Sequence, residues 1–174
     1  PGMLTEPVES EVMRESWEGL CEQAASQGTR VAIESAPYSH FPTVDSIVSL
    51  VTDVDHPNGG LLLDIWHVYR SGMDYTAMAK MVSRKYLFAV ELCDAKATVI
   101  DSLFEDTINQ RELCGQGDAN VADYIRAIDQ IGFDGPWGVE IISNAHRARP
   151  LNEALTLAYQ TTVDCFNLAR GERV

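Results

Sequence analysis

The sequence predicts an α/β fold with a parallel sheet, arranged as part of a (β/α)8 barrel. Short apolar runs alternate along the chain with segments of helical periodicity, a pattern typical of parallel strands joined by helical crossovers. The apolar runs are nearly uniform, as expected for strands that helices cover. Each run also closes on a carboxylate: the four are VAIE (31–34), LLLD (61–64), FAVE (88–91) and WGVE (137–140). In (β/α)8 barrels the functional groups lie at the carboxyl ends of the strands.

The predicted order is one helix followed by four strand–helix units. The first helix extends from Val8 to Gln27, because its apolar residues recur at helical spacing and Gly28 is a favourable C-terminal stop. The four strands that follow are VAIES (31–35), LLLDIW (61–66), YLFAVELC (86–93) and WGVEII (137–142).

The helices between and after these strands have recognisable ends. Thr43 is a favourable N-cap for the second helix, which the turn HPNGG at 56–60 follows. Asp74 begins the third helix. The fourth helix contains an apolar stripe and ends at Gly132, and the last helix runs from about Leu151 to Ala169 after Pro150. An open doubly wound sheet is the alternative, but no GxGxxG phosphate loop follows the first strand.

Composition narrows the class of protein. The chain has 174 residues, of which 45% are hydrophobic, enough for one domain with a core. No apolar run reaches the roughly 18–20 residues that span a bilayer. The four cysteines lack CxxC spacing and indicate reduced thiols of a cytoplasmic protein. A net charge of −13 argues against nucleic-acid or anionic-membrane partners.

The acids that end the four apolar runs are the main candidates for a functional site. They are Glu34, Asp64, Glu91 and Glu140. Successive parallel strands bring these carboxylates to one rim, where like charges repel and need a counter-ion. A divalent cation bound by carboxylate oxygens meets that need, whereas acids that simply enter solvent would have no role. The all-oxygen ligand set favours Mg²⁺ or Mn²⁺ over Zn²⁺.

Two further residues are candidates for substrate binding. His67 lies three residues after Asp64, where the strand is expected to pass into a loop. Arg111 lies in a stretch without regular pattern, about 96–118, and long irregular loops often act as lids. Arginine suits bidentate recognition of oxygen groups. The alternatives are a histidine on the surface or satisfied within the core, and a solvated arginine.

Together these motifs resemble the C-terminal half of the sugar phosphate isomerase/epimerase family, the xylose isomerase-like TIM barrels. The matching elements run in order along about 5–168: VAIES, LLLDIWH, VELCDA, the R-x-x-x-G-x-G-D segment at 111–118, and GPWGVEI. The resemblance implies metal ligands at Glu34, Asp64, Glu91 and Glu140, with Glu34 and Glu140 also moving protons. It further implies that His67 and Arg111 contact the substrate.

The implied activity is a divalent-metal-dependent isomerisation or epimerisation of a small sugar or sugar phosphate through an enediol-like intermediate. Many sugar epimerases have histidine where Glu91 stands. Relatives with glutamine or glutamate there include dehydratases of inososes or 3-dehydroshikimate. A metal-dependent dehydratase is therefore an alternative. An abasic-site endonuclease of the same superfamily is disfavoured, because the chain has only four histidines and lacks a basic face.

A complete (β/α)8 barrel has about 250 residues. We therefore expect residues 1–174 to form one domain that corresponds to the C-terminal half of a barrel, with the first four strands absent. Such a half would expose two sheet edges. Either the chain is a fragment of a longer protein, or two copies assemble as a homo-oligomer. A third functional alternative follows, a truncated, non-catalytic half barrel.

Overall fold

A computed structural model describes Glu6 and residues 8–171. Its four strands form one parallel sheet in the order β1-β2-β3-β4. They are β1 Val31–Glu34, β2 Gly59–Asp64, β3 Leu87–Leu92 and β4 Trp137–Val139. The helices are α1 Ser10–Ser26, α2 Val44–Val54, α3 Ile65–Arg70, α4 Tyr75–Met81, α5 Leu103–Asn109, α6 Val121–Ile131, α7 Asn144–Arg147 and α8 Leu151–Arg170.

Sequential strand order and a helix after every strand give the βα succession of a TIM barrel, so the predicted fold is confirmed. Within the described residues, β1 and β4 each pair with a single neighbour. No helix in this part of the chain combines the length and apolar character needed to cross a bilayer.

The core lies between the sheet and the helices on its outer face. Leu61 and Leu63 of β2 are each 1% exposed and pack in this core with Trp17 of α1 and Ile125 of α6. Side chains alternate across a strand, so Leu62 and Asp64 belong to the opposite, inner face. Packing of Leu61 and Leu63 in the core therefore directs the side chain of Asp64, the last residue of β2, to the inner face of the sheet.

The predicted helix ends are largely confirmed. Thr43 precedes α2, and its N–H donates to the Ser46 hydroxyl. The carboxylate of Asp74 accepts from Ala77 N at 2.8 Å at the start of α4. Gly132 ends α6 with a φ of 81°, a left-handed conformation that glycine adopts without strain.

Several predicted boundaries, and the predicted irregular stretch, differ from the structure. The second strand ends at Asp64 and not at Trp66, because the Asp64 carboxylate accepts from Trp66 N at 2.8 Å and begins α3. The stretch 96–118 is not wholly irregular, since it contains α5 with Ser102 as its cap. The fourth strand ends at Val139 rather than at 142.

The predicted turn at 56–60 is shorter than expected, because Gly59 and Gly60 already belong to β2. A Cβ atom on Gly59 would lie 2.4 Å from the Sγ of Cys21 and 3.1 Å from the Trp17 ring. Gly59 therefore lets α1 pack directly on the sheet, and this contact, not turn geometry, requires glycine.

We predict that Gly59→Ala destabilises the protein by about 1–3 kcal/mol, the usual cost of overpacking a core. Gly19 in α1 is the matched control, because a Cβ there meets nothing within 4 Å. Gly19→Ala should stabilise the helix by about 0.5–1 kcal/mol. Urea denaturation of both variants measures these changes, and equal effects would contradict the packing argument.

Candidate metal centre

The four strand-end acids converge on one rim, in two overlapping clusters that share Asp64. Asp64 and Glu91 are direct neighbours in the β2–β3 register, and Glu140 follows β4 immediately. Ligand atoms of Asp64, Glu91 and Glu140 lie within 4.8 Å of one another, and so do those of Glu34, Asp64 and His67. The sequence-predicted acids are therefore brought together, with His67 beside them.

Arg111 is the cation that holds this cluster. Its Nη1 lies 2.5 Å from Asp64 Oδ2 and 2.9 Å from Glu140 Oε2. The Asp64 and Arg111 side chains are 0% and 2% exposed, so the ion pair is buried. Burial alone lowers the pKa of arginine, but the charges of Asp64, Cys93 and Glu140, together with the hydrogen bond to Asp64, outweigh it and keep the pKa of Arg111 raised.

Arg111 was expected on a long irregular loop of the kind that often acts as a lid, but it is buried and the residues on either side of it form bridges. Its N–H donates to Ile142 O, and the adjoining residues form bridges with the segments that follow β3 and β4. Its Nη1 is directed at Asp64 and Glu140, which would have to release it before it could contact a ligand. Its role in substrate binding stays a prediction.

Glu34 lacks the ion pair that Arg111 gives to Asp64 and Glu140. Its Oε1 is buried and has no hydrogen-bond partner in the part of the chain that the structure describes, because His67 Nε2 approaches to 3.4 Å without hydrogen-bond geometry. Desolvation first, and then the charges of Asp64 and Glu140, raise the pKa of Glu34 to about 8. The pKa of Glu91 is raised by the same two causes, desolvation and neighbouring acids.

His67 lies on α3, not in the loop that the sequence suggested, because Asp64 begins a helix directly after β2. Burial and then the charge of Arg111 lower the pKa of His67 to about 3, so the imidazole is neutral. Nε2 faces Glu34 and Asp64, while Nδ1 is buried without a partner. The ring also contacts Tyr38 edge-on, with the centroids 6.0 Å apart.

The residues present fit a divalent cation. Four carboxylates lie at the rim, and Arg111 is the charged partner of two of them among the described residues. Ionising all four therefore leaves an excess of three negative charges, which a divalent ion would reduce to one. Without an ion, the excess is relieved by protonation, which is what the raised pKa of Glu34 indicates.

Three residues of this region lie in motifs that the sequence analysis quoted, but their structural roles were not predicted. Asp94 is buried and accepts from Ala95 N at 2.8 Å and Ala119 N at 2.9 Å. Gly117 packs so closely on Asp94 that a Cβ would lie 2.4 Å from Oδ1. Asp118 accepts from Ala97 N at 2.8 Å. The G-x-G-D segment thus shapes the loop beside the rim.

A parallel sheet with helices on its outer face and carboxylates gathered at the carboxyl ends of its strands is typical of TIM barrels, and the gathered carboxylates are a candidate metal site. The chain belongs to the xylose isomerase-like TIM barrel family, whose pattern matches residues 2–160. The resemblance proposed from the sequence is confirmed.

Two curated relatives illustrate the family. The 3-dehydroshikimate dehydratase of Pseudomonas putida is 30% identical over 135 residues, which are 77% of this chain and 21% of that enzyme. The inosose isomerase of Bacillus subtilis is 26% identical over 162 residues, 90% of this chain and 57% of that enzyme. The chain thus spans only part of the length of each relative.

Two solved structures share the fold. The crystal structure of IOLI protein with a bound zinc atom has a TM-score of 0.83 at 24% identity, covering 97% of this chain and 62% of that one. An L-ribulose 3-epimerase structure has a TM-score of 0.72 at 16% identity, covering 98% and 59%. At these identities the likeness supports the fold alone.

The raised pKa of Glu34 gives a prediction for the metal-free protein. Glu34 loses its proton near pH 4.5 when unfolded but near pH 8 when folded, so the folded state binds more protons between these values. The Glu34 contribution to stability should therefore fall as pH rises from 5 to 8, whereas the buried, neutral His67 contributes an opposing rise up to about pH 6.5. Because Glu34 is partly exposed to solvent, the slope of its contribution to the unfolding free energy against pH stays below the one-proton limit of about 1.4 kcal/mol per pH unit.

Denaturant titrations in chelator at several pH values measure this slope. Glu34→Gln should flatten it, whereas Glu22→Gln, a change at an exposed glutamate of α1, should leave it unchanged. Equal slopes in the wild type and Glu34→Gln would contradict the assignment.

Proposed function

We propose that this chain carries the metal-binding part of a divalent-metal-dependent isomerase or epimerase. Its substrate would be a small polyhydroxylated carbonyl compound, and its reaction a proton transfer next to the carbonyl. The observation that carries the proposal is the convergence of Glu34, Asp64, Glu91 and Glu140 on one rim with a single guanidinium among them. Membership of a family whose curated relatives include an isomerase and a dehydratase supports it.

A divalent ion held by the four carboxylates would polarise the carbonyl and hydroxyl oxygens of the substrate. The oxygen ligands suit Mg²⁺ or Mn²⁺, and the bound zinc of one structural relative keeps Zn²⁺ among the ions to test.

The protein's own groups would carry the proton. Glu34 Oε1 has no hydrogen-bond partner among the described residues, so no protein group there competes with a substrate proton for it. Glu140 is 38% exposed at the rim, and Arg111 fixes the direction of its carboxylate. Two carboxylates at different strand ends can remove and return a proton at different positions of one substrate.

His67 suits the role of a neutral hydrogen-bond donor. With its pKa lowered to about 3, the ring adds no charge to the site, and its Nε2 faces the acids. We propose that His67 Nε2 donates to a substrate oxygen and that the Tyr38 ring beside it bounds the pocket.

A dehydratase is the second candidate, favoured by the relative of Pseudomonas putida that is 30% identical. Such an enzyme would use the same carbonyl activation and the same bases. The deprotonated substrate would then break its C–O bond, and the carboxylic acid that had taken the proton would return it to the leaving hydroxide, which departs as water.

The test is an NMR assay in D₂O with Mn²⁺ or Mg²⁺ on an inosose, L-ribulose and 3-dehydroshikimate. An isomerase gives an isomer with deuterium next to the carbonyl, and a dehydratase gives a product that has lost water. Glu34→Gln and Glu140→Gln should each lower the rate by about 10²-fold or more, the usual contribution of a general acid–base group. Glu22→Gln is the control.

Turnover that survives both substitutions would contradict the assigned roles. Metal binding without turnover on any of the three substrates would favour a non-catalytic half barrel.

A further inference from the structure

Helix α5 carries two consecutive buried polar residues toward the acidic rim, Asp106 and Thr107, each 2% exposed. Asp106 Oδ2 accepts from Trp66 Nε1 at 3.2 Å and from Arg70 Nη2 at 2.7 Å. Both donors belong to α3, so Asp106 ties α5 to the helix that Asp64 begins. Because Thr107 is the next residue of α5, the hydrogen bonds of Asp106 also help to fix the position of Thr107.

The backbone of Arg111 is fixed without help from Thr107. Its N–H donates to Ile142 O at 3.2 Å, while Gln110 bridges to Ser143 and Glu112 bridges to Asp94. The segment is therefore clamped between the extensions of β3 and β4. These backbone contacts do not determine the direction in which the guanidinium points.

Thr107 contacts the outer side of that guanidinium. Arg111 Nε donates to Thr107 O at 3.1 Å and to Oγ1 at 3.2 Å, and Nη2 donates to Oγ1 at 2.9 Å. The fork of an arginine is planar and rigid, so binding one side fixes the other. Nη1 is then directed at Asp64 Oδ2 and Glu140 Oε2.

We propose that Thr107 is a positioning residue that holds the Arg111 guanidinium and, through it, orients the carboxylates of Asp64 and Glu140. Replacing groups that orient metal ligands commonly weakens metal binding about 10–100-fold. The metal-binding part of this inference rests on the proposed function, whereas the immobilisation of Arg111 does not.

The experiment compares Thr107→Val, which keeps the shape and removes the hydroxyl, with Thr107→Ser, which keeps the hydroxyl. Thr161→Val is the matched control, because the Thr161 hydroxyl donates only within its own helix, to Leu157 O at 2.8 Å and Ala158 O at 3.4 Å. Thermal melts establish that each variant is folded, and Thr107→Ala replaces the valine variant if it is not.

The first readout is the NMR signal of the Arg111 side chain in metal-free protein, assigned by its loss in Arg111→Lys. Hindered rotation about the Cζ–Nη2 bond and slow Nε–H exchange are expected in the wild type, Thr107→Ser and Thr161→Val, and faster motion in Thr107→Val. The second readout is calorimetric Mn²⁺ affinity, expected to fall about tenfold in Thr107→Val and to recover in Thr107→Ser.

A guanidinium that stays immobilised in Thr107→Val would overturn the inference. So would wild-type Mn²⁺ affinity in Thr107→Val, or an equal loss in the valine and serine variants, which would indicate packing alone. Absence of Mn²⁺ binding by the wild type would instead defeat the proposed function, and the Arg111 signal would then decide the role of Thr107.

Discussion

The ion pair between Asp64 and Arg111 is the interaction on which the rim depends. Both side chains are almost fully buried, and removing one partner of such a pair leaves an uncompensated charge, which typically costs about 3–5 kcal/mol. One guanidinium nitrogen reaches both Asp64 and Glu140, so it links the ends of β2 and β4, which are not neighbours in the sheet. Arg111 therefore fixes the distance between the carboxylates of Asp64 and Glu140.

The same pair divides the acids into two kinds. Asp64 and Glu140 have a guanidinium partner, whereas Glu34 faces a neutral imidazole and the charges of its neighbours. Burial first, and then these neighbouring charges, raise the pKa of Glu34 to about 8, so Glu34 stays protonated near neutral pH without an added cation. A divalent ion would remove this asymmetry, because it supplies the charge that one arginine cannot.

Much of the rim could be predicted from the sequence, because the parallel βα pattern places all strand ends at one edge. Predicting that the four acids lie together required only the strand assignment and the observation that each apolar run ends in a carboxylate. The end of β2 was missed because a side chain decides it. Asp64 caps α3, and the apolar Ile65 and Trp66 look the same in a strand as in a short helix.

Helix α5 and the burial of Arg111 could not be predicted for a related reason. Seven residues form a helix that is marginal alone, and contacts of Asp106 with distant residues of α3 stabilise it. Arg111 lies in a segment without a regular pattern, and its partners are 47 and 29 residues away in the chain.

The most direct test of the central claim is an anomalous difference map from crystals soaked in Mn²⁺. The account predicts one peak bounded by Glu34, Asp64, Glu91 and Glu140. A well-ordered rim without a peak, or a peak elsewhere, would contradict it.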